Sequence, residues 1–542
     1  MGAIPFGLTL LALVFWSENV VYHDDYALLR FLLDWTDPAV AWSRKLQLLV
    51  EPHNHHRIVY DRLVTLGTYY LTGQMNVLLM IALGNLALLG IGWRLWTLFR
   101  YIALPGWYFI PVPWWLLNLQ SHENMFWGMA ALQNFTVIWL MFETLHRLVR
   151  RDPVIGPLLL SMAALFTSGN GLLAVVVGSA LIARQWCWRS DGWVWIGGAA
   201  LALGLFFWGF DPVPLPGTVL EAGPKLLMVL GASLTNQVRF GVAALGGTVV
   251  GVGGAVLLGT CFLSRRPRFA ALRRSDAVTE LLAFGAVVVG TALILSISRP
   301  PDELLRDRYR IYSHLSFGLV YIAGLLVLTS RFRQVWGLAG SAVAIVMYAG
   351  SAYAKIPEIL NGRQLRQLDA HNVGYNGTTL PPPYYAESNR AMLTKSYERG
   401  AFRYPPIWSD PAGWRPLSVP CRITVEPFSN PNPTVFFAKN NHYLRVRSAP
   451  AFLPGQWQLG SSACLIAESA SGRRYALPAP PVLDSKLNLL THGRYFRHER
   501  ITEFQKAVLP PGRYRLGLLF THGNIVDGFT LSDQTFVVRP TD

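Results

Sequence analysis

Immediately after a first apolar stretch the chain carries Tyr22-His23-Asp24-Asp25-Tyr26, followed further on by Glu51-Pro52-His53-Asn54-His55-His56-Arg57. Two adjacent carboxylates repel each other, so one of them holds a proton more tightly and is suited to accept one from a hydroxyl, while the other holds an ion or a sugar hydroxyl. A purely structural role competes, because Asp24 or Asp25 is well placed to cap a helix beginning near Tyr26. His53, His55 and His56, with Glu51 and Asp61 nearby, are metal-ligand types, but they show no standard zinc spacing. Hydrogen bonding to a polar substrate or to the neighbouring carboxylates, together with Arg57, is the simpler role, and a divalent metal is not favoured.

Two further stretches are polar where a short connection between apolar runs is expected. Gln120-Ser121-His122-Glu123-Asn124 and Ser168-Gly169-Asn170 sit between such runs, with side chains suited to line the mouth of a helical bundle or to cap its helices. The segment Ser298 to Arg310 holds four arginines, Arg299, Arg306, Arg308 and Arg310, and Tyr309 and Tyr312 are placed to flank a lipid head. Arginine suits phosphate oxygens because its planar fork donates in pairs. Asp302, Glu303 and Asp307 compete by pairing locally with the same arginines.

The elements that must position these groups are apolar. Of 542 residues 52% are hydrophobic and only 14% charged, a balance that leaves too little charge to cover a soluble core of this size. Runs able to cross about 30 Å of hydrocarbon recur at 4–17, 75–92, 102–118, 124–145, 155–167, 171–186, 193–209, 237–263, 278–297, 314–330 and 335–353, about eleven in all. The net charge of +16 follows alternate loops, at Arg94 and Arg100, at Arg147, Arg150 and Arg151, at Arg184 and Arg189, at Arg265 to Arg274, and at Arg331 and Arg333. That is the positive-inside pattern rather than a nucleic-acid surface, and it places the N-terminus inside and both the 18–74 loop and the C-terminal region outside.

Residues 1–355 therefore form a transmembrane domain with a long first outer loop, 356–418 a connector, and 419–542 a water-soluble domain. Short alternating segments at Arg422 to Val425, Thr434 to Phe437, Tyr443 to Val446, Gln456 to Leu459, Tyr514 to Leu519 and Thr535 to Val538, separated by turn residues, predict an antiparallel β-sandwich. Cys421 and Cys464 both fall in this outer domain, where an oxidising compartment permits a disulfide. The fold class expected is an α-helical polytopic membrane protein with a C-terminal extracytoplasmic β-sandwich.

The His23-Asp24-Asp25 cluster just after the first span, the long first outer loop, Arg308-Tyr309-Arg310-Ile311-Tyr312-Ser313 in a late outer loop and the C-terminal outer domain together resemble the GT-C superfamily of polytopic membrane glycosyltransferases. The resemblance implies an integral protein of a bacterial-type inner membrane that moves a sugar, with inversion, from a polyprenyl-phosphate donor to an extracytoplasmic glycan or lipid. It also implies Asp24 or Asp25 as catalytic base, arginines on the lipid phosphate, no required cofactor and no nucleic-acid partner. No Gly-x-Gly-x-x-Gly or Walker motif is present, which fits a donor delivered within the membrane. A lipid-linked-glycan polymerase or ligase is the nearest rival. A transporter fits less well, because the second half of the chain does not repeat the first.

Overall fold

The computed structural model describes residues 1–53, 56–186, 190–210, 218–378, 383–428, 443–450 and 461–540. His55 and the expected strands at Thr434 to Phe437 and Gln456 to Leu459 lie outside these residues. The chain divides into two units, one of Met1–Ser17 with Asp34–Ile356, the other of Glu18–Leu33 with Pro357–Asp542. The segment Glu18–Leu33, expected to belong to the transmembrane domain, is thus part of the second unit.

The first unit is helical. Among the described residues six helices are long and apolar enough to cross a membrane: Val77–Arg100, Ser190–Phe207, Phe240–Leu263, Asp276–Ser298, Asp307–Val327 and Ser330–Asn376. At 1.5 Å per residue the 24 residues of Phe240–Leu263 reach about 36 Å. Along that helix Leu245, Val249, Val252 and Val256 are all more than half exposed, an apolar stripe of the kind that faces lipid rather than water.

Fewer helices reach spanning length than the sequence suggested, and the reasons are local. The expected span 102–118 is instead the turn Gly106–Phe109 and the six-residue helix Pro111–Leu116. Pro105, Pro111 and Pro113 each lack a backbone N–H and so remove donors that a continuous helix through this stretch would use. Ile4–Trp16, Ile155–Leu165 and Leu172–Trp186 are helices of 13, 11 and 15 residues, short of the roughly 20 that a perpendicular crossing needs.

Gly128–Val149 has 22 residues, but Gln133, Asn134, Glu143, His146 and Arg147 interrupt its apolar character. It lies at the centre of the unit with most of its length buried. Its charges are matched within the helix and across to neighbours: Glu143 takes Arg147 at 2.7 Å and Arg94 at 2.9 Å, and His146 meets Glu280 at 2.9 Å.

A helix not anticipated, Val219–Gly231, begins with a capping box in which Thr218 and Glu221 exchange side-chain-to-backbone hydrogen bonds of 3.4 Å. Its glycine contact with Phe240–Leu263 is very close. A Cβ on Gly247 would fall 1.9 Å from the Leu227 carbonyl oxygen, and one on Gly231 would fall 2.0 Å from the Gly247 nitrogen. Backbone, not a flexible side chain, occupies that space, so Gly247→Val is expected to destabilise the protein by about 1–3 kcal/mol or more. Denaturant unfolding in detergent reads this, and a wild-type midpoint would contradict the packing.

The second unit contains two four-stranded antiparallel sheets. In one, Ile525–Val538, Gly512–His522, Ser461–Ser469 and Arg474–Leu477 lie in that order; in the other, Cys421–Phe428, Tyr443–Pro450, Phe496–Gln505 and Pro481–Leu483. Along Gly512–His522 the period of two is clear: Tyr514, Leu516, Leu518 and Phe520 join Ile423, Leu444, Val446 and Phe504 in one core, while Leu519 faces Leu368, Trp414 and Phe529 in another.

Leu368 comes from Ser330–Asn376, a 47-residue helix with Pro357 inside it. The amide of Asn372 donates to Ala476 O at 2.7 Å and accepts from Ala476 N at 3.0 Å, as a neighbouring strand would. Gln364 does the same one turn pair earlier, donating to Ala463 O and accepting from Ala479 N.

Cys421 and Cys464 are free thiols, not a disulfide. They face different cores, Cys421 packing against the one shared by both sheets and Cys464 lying in the one beneath Leu368. Burial pushes the Cys464 thiol up to about 12.

Candidate functional site

In the second unit the Tyr22–Tyr26 segment is a tight turn that opens the helix Asp25–Thr36. His23 adopts a left-handed backbone with φ of 46°, uncommon for a residue with a side chain. The turn is held by Asp25, which is fully buried and accepts the Tyr22 N–H at 3.1 Å, and by backbone bonds from Tyr26 to His23 and from Ala27 to Asp24. Below it Tyr26 shares a hydrogen bond of 2.9 Å with Tyr404, which donates to Asp369 at 3.1 Å. Burial raises the pKa of both phenols. The two acidic residues therefore differ in kind: Asp25 fixes the turn from inside, while Asp24 and His23 are exposed on it.

His53 and His56 of the first loop are drawn into backbone contacts of the first unit. Pro52–His53 pairs with His56–Arg57 as a two-stranded ribbon. His56 Nδ1 accepts the Gly169 N–H at 3.1 Å. Arg57 donates to the carbonyls of Phe206 at 2.7 Å, of Val50 and of Trp208. Glu51 pairs with Arg44 at 3.3 Å on the surface. These contacts tie the loop to the helical bundle.

The arginine segment is built differently. Pro301–Leu304 makes one helical turn, Asp307–Tyr309 makes another, and the apolar helix Arg310–Val327 follows. Arg299 and Arg306 both reach Glu303, at 3.3 and 3.7 Å. Asp307 is the hub: its oxygens lie 2.7 Å from Arg310, 2.8 Å from Lys355 and 3.3 Å from His122. Arg310 is also bonded to the carbonyls of Ala232 and Thr235, so its guanidinium locks the turn that follows Val219–Gly231.

The backbone of Arg308 is gripped on both sides, its N–H by Glu123 at 3.3 Å and its carbonyl by Asn124 at 2.7 Å. Asn134 donates to Asn124 at 2.9 Å, and Asn170 donates to the Tyr312 hydroxyl at 3.0 Å. The Arg308 side chain, by contrast, lies over the Tyr309 ring at 5.1 Å. Its Nε is buried and donates to no acceptor among the described residues. Burial, with Asp307 adding to it, raises the pKa of the Glu123 carboxyl.

Of the residues singled out from sequence, His122, Glu123, Asn124, Arg308, Tyr309 and Arg310 thus meet in one neighbourhood, and Asn170 joins Tyr312. Arg299 is taken up by Glu303. Lys355 was missed, although a lone lysine directly after an apolar run is a visible signal. Gln120 and His314 were also undervalued. The Gln120 amide donates to Ser233 O, Thr235 O and Asn236, and its oxygen lies 3.1 Å from His314.

Together the fold and these clusters define a mostly helical protein with, among the described residues, six membrane-length apolar helices and a C-terminal β-sheet region. Comparison with known protein families, characterised proteins and solved structures gives no match to this chain.

Proposed function

We propose that the chain is a membrane glycosyltransferase that moves a sugar from a polyprenyl-phosphate donor to an extracytoplasmic glycan or lipid. The observation that carries this reading is the strained turn at His23, held from within by Asp25, which leaves the Asp24 carboxylate exposed at the start of a helix. Asp24 takes the proton of the acceptor hydroxyl as its oxygen bonds to the anomeric carbon. The bond from that carbon to the phosphate oxygen breaks, and the lipid phosphate leaves with the electron pair. The charge that grows on that phosphate calls for a cation, an interaction stronger in the transition state than in the bound donor. The shorter apolar helices complete a polytopic bundle, the two sheets form a sandwich, and the loop of residues 18–74 and the C-terminal domain lie outside.

Arg308 supports this reading because it is a half-buried cation whose Nε has no acceptor among the described residues, at the end of an apolar helix where a lipid phosphate is the natural anion. Arg308→Ala is expected to weaken binding of a polyprenyl-phosphate sugar by about 10- to 100-fold, the range for losing charge-assisted hydrogen bonds. Arg308→Lys recovers only part of this, because the planar fork is lost while the charge stays. Fluorescent-donor titration of the purified protein measures both, and unchanged affinity in Arg308→Ala would remove the arginine from the site.

A further inference from the structure

A buried arginine also stands in the second unit, on the part of Ser330–Asn376 that packs on the sheet. Gln364, Leu368 and Asn372, spaced four apart, face the sheet. Arg363, Arg366 and Gln367 turn to the segment that carries Glu18 and Tyr22. Arg363 Nε and Gln367 Nε2 both hold Glu18 Oε1 at 2.8 Å. Arg366 is left out of that arrangement. It is only 7% exposed, its Nε is buried, and among the described residues its guanidinium makes no hydrogen bond and no ion pair. The Tyr22 ring lies 6.0 Å from it, and Glu18, Asp25 and Arg363 act on it electrostatically without closing on it.

Burying a guanidinium without acceptors costs several kcal/mol, and folds that keep one give it an anion to hold. Arg366 offers up to five N–H donors in a flat fork that matches two oxygens of a phosphate, and Arg363, itself paired with Glu18, stands within electrostatic reach of it. We propose that Arg366, beside Tyr22 and Arg363, is a binding site for a phosphate ester, distinct from the Arg308 neighbourhood. The shared chemistry admits two sources, a soluble phosphate ester or a phospholipid headgroup. This goes beyond the transferase reading and does not depend on turnover.

Equilibrium dialysis of labelled inorganic phosphate against the full-length protein in dodecyl maltoside tests it at constant ionic strength. Wild type and Arg30→Gln, which removes an exposed charge from the same unit, are expected to bind alike. Arg366→Gln and Arg366→Lys are expected to lose about tenfold or more in affinity. Displacement of the label by dioctanoyl phosphatidylglycerol marks the headgroup as the source, and failure to displace it marks a soluble ester. In the absence of phosphate, Arg366→Gln is expected to melt at or above the wild-type temperature, because an uncompensated buried charge is removed. Wild type that binds no phosphate, or either Arg366 variant binding it as wild type does, would overturn the site. A folded Arg366→Lys with wild-type affinity beside a collapsed Arg366→Gln would make the residue a counter-ion of Asp25 instead.

Discussion

Asp24→Asn is expected to abolish sugar transfer while leaving the protein folded. Removing a general base typically lowers turnover by about 10²- to 10⁴-fold. Asp24 is exposed, so the isosteric amide gives up no buried interaction. Asp25 behaves oppositely. Its buried carboxylate accepts the Tyr22 N–H, a bond that an Asn oxygen still makes, so Asp25→Asn should keep most activity and Asp25→Ala should lose about 1–2 kcal/mol of stability. Transfer rates at equal folded amount, read beside unfolding midpoints, separate the two residues. A fully active Asp24→Asn contradicts the assignment, and loss of activity in Asp25→Asn alone moves the base by one position.

Asp307→Asn carries the largest expected cost in stability. One carboxylate serves Arg310 at 2.7 Å and Lys355 at 2.8 Å, both cations almost wholly buried, with His122 at 3.3 Å. Neutralising it removes the carboxylate that both interior cations share, and breaking buried pairs of this kind costs about 3–5 kcal/mol. Arg310 also holds the carbonyls of Ala232 and Thr235, so the turn after Val219–Gly231 should loosen with it. Chemical unfolding in detergent measures the effect. A change within about 0.5 kcal/mol would mean that the charges are solvated, as surface pairs are.

The contacts close in sequence were the legible ones. Glu303 and Asp307 were weighed as neutralisers of the nearby arginines, and they do take Arg299, Arg306 and Arg310. Lys355 reaches Asp307 across 48 residues and Arg366 approaches Tyr22 from a distant helix, and no local spacing announces such pairs. The prolines at 105, 111 and 113 were visible, yet the apolar run around them outweighed their effect on the backbone.

Strands followed the same division. Gly512–His522 alternates from Tyr514 to Leu518 and was found in part. Ser461–Ser469 was missed because small and apolar residues follow one another, as they do when both faces of a strand are covered. Phe496–Gln505 was missed because Arg497, His498, Glu499 and Arg500 hide the alternation of its buried Phe496, Arg500, Thr502 and Phe504. Arg500 is itself satisfied inside, donating to Ala463 O and Ala479 O.

The central claim is chemical, and one assay addresses it directly. Purified full-length protein is incubated with a panel of polyprenyl-phosphate sugars and with glycan and lipid acceptors, and both released polyprenyl phosphate and elongated acceptor are quantified. At least one donor is predicted to give the two products in equal amounts, with inverted anomeric configuration. No release from any donor, with turnover instead of a pyrophosphate-linked oligosaccharide, would contradict the transferase and identify a lipid-linked-glycan polymerase or ligase.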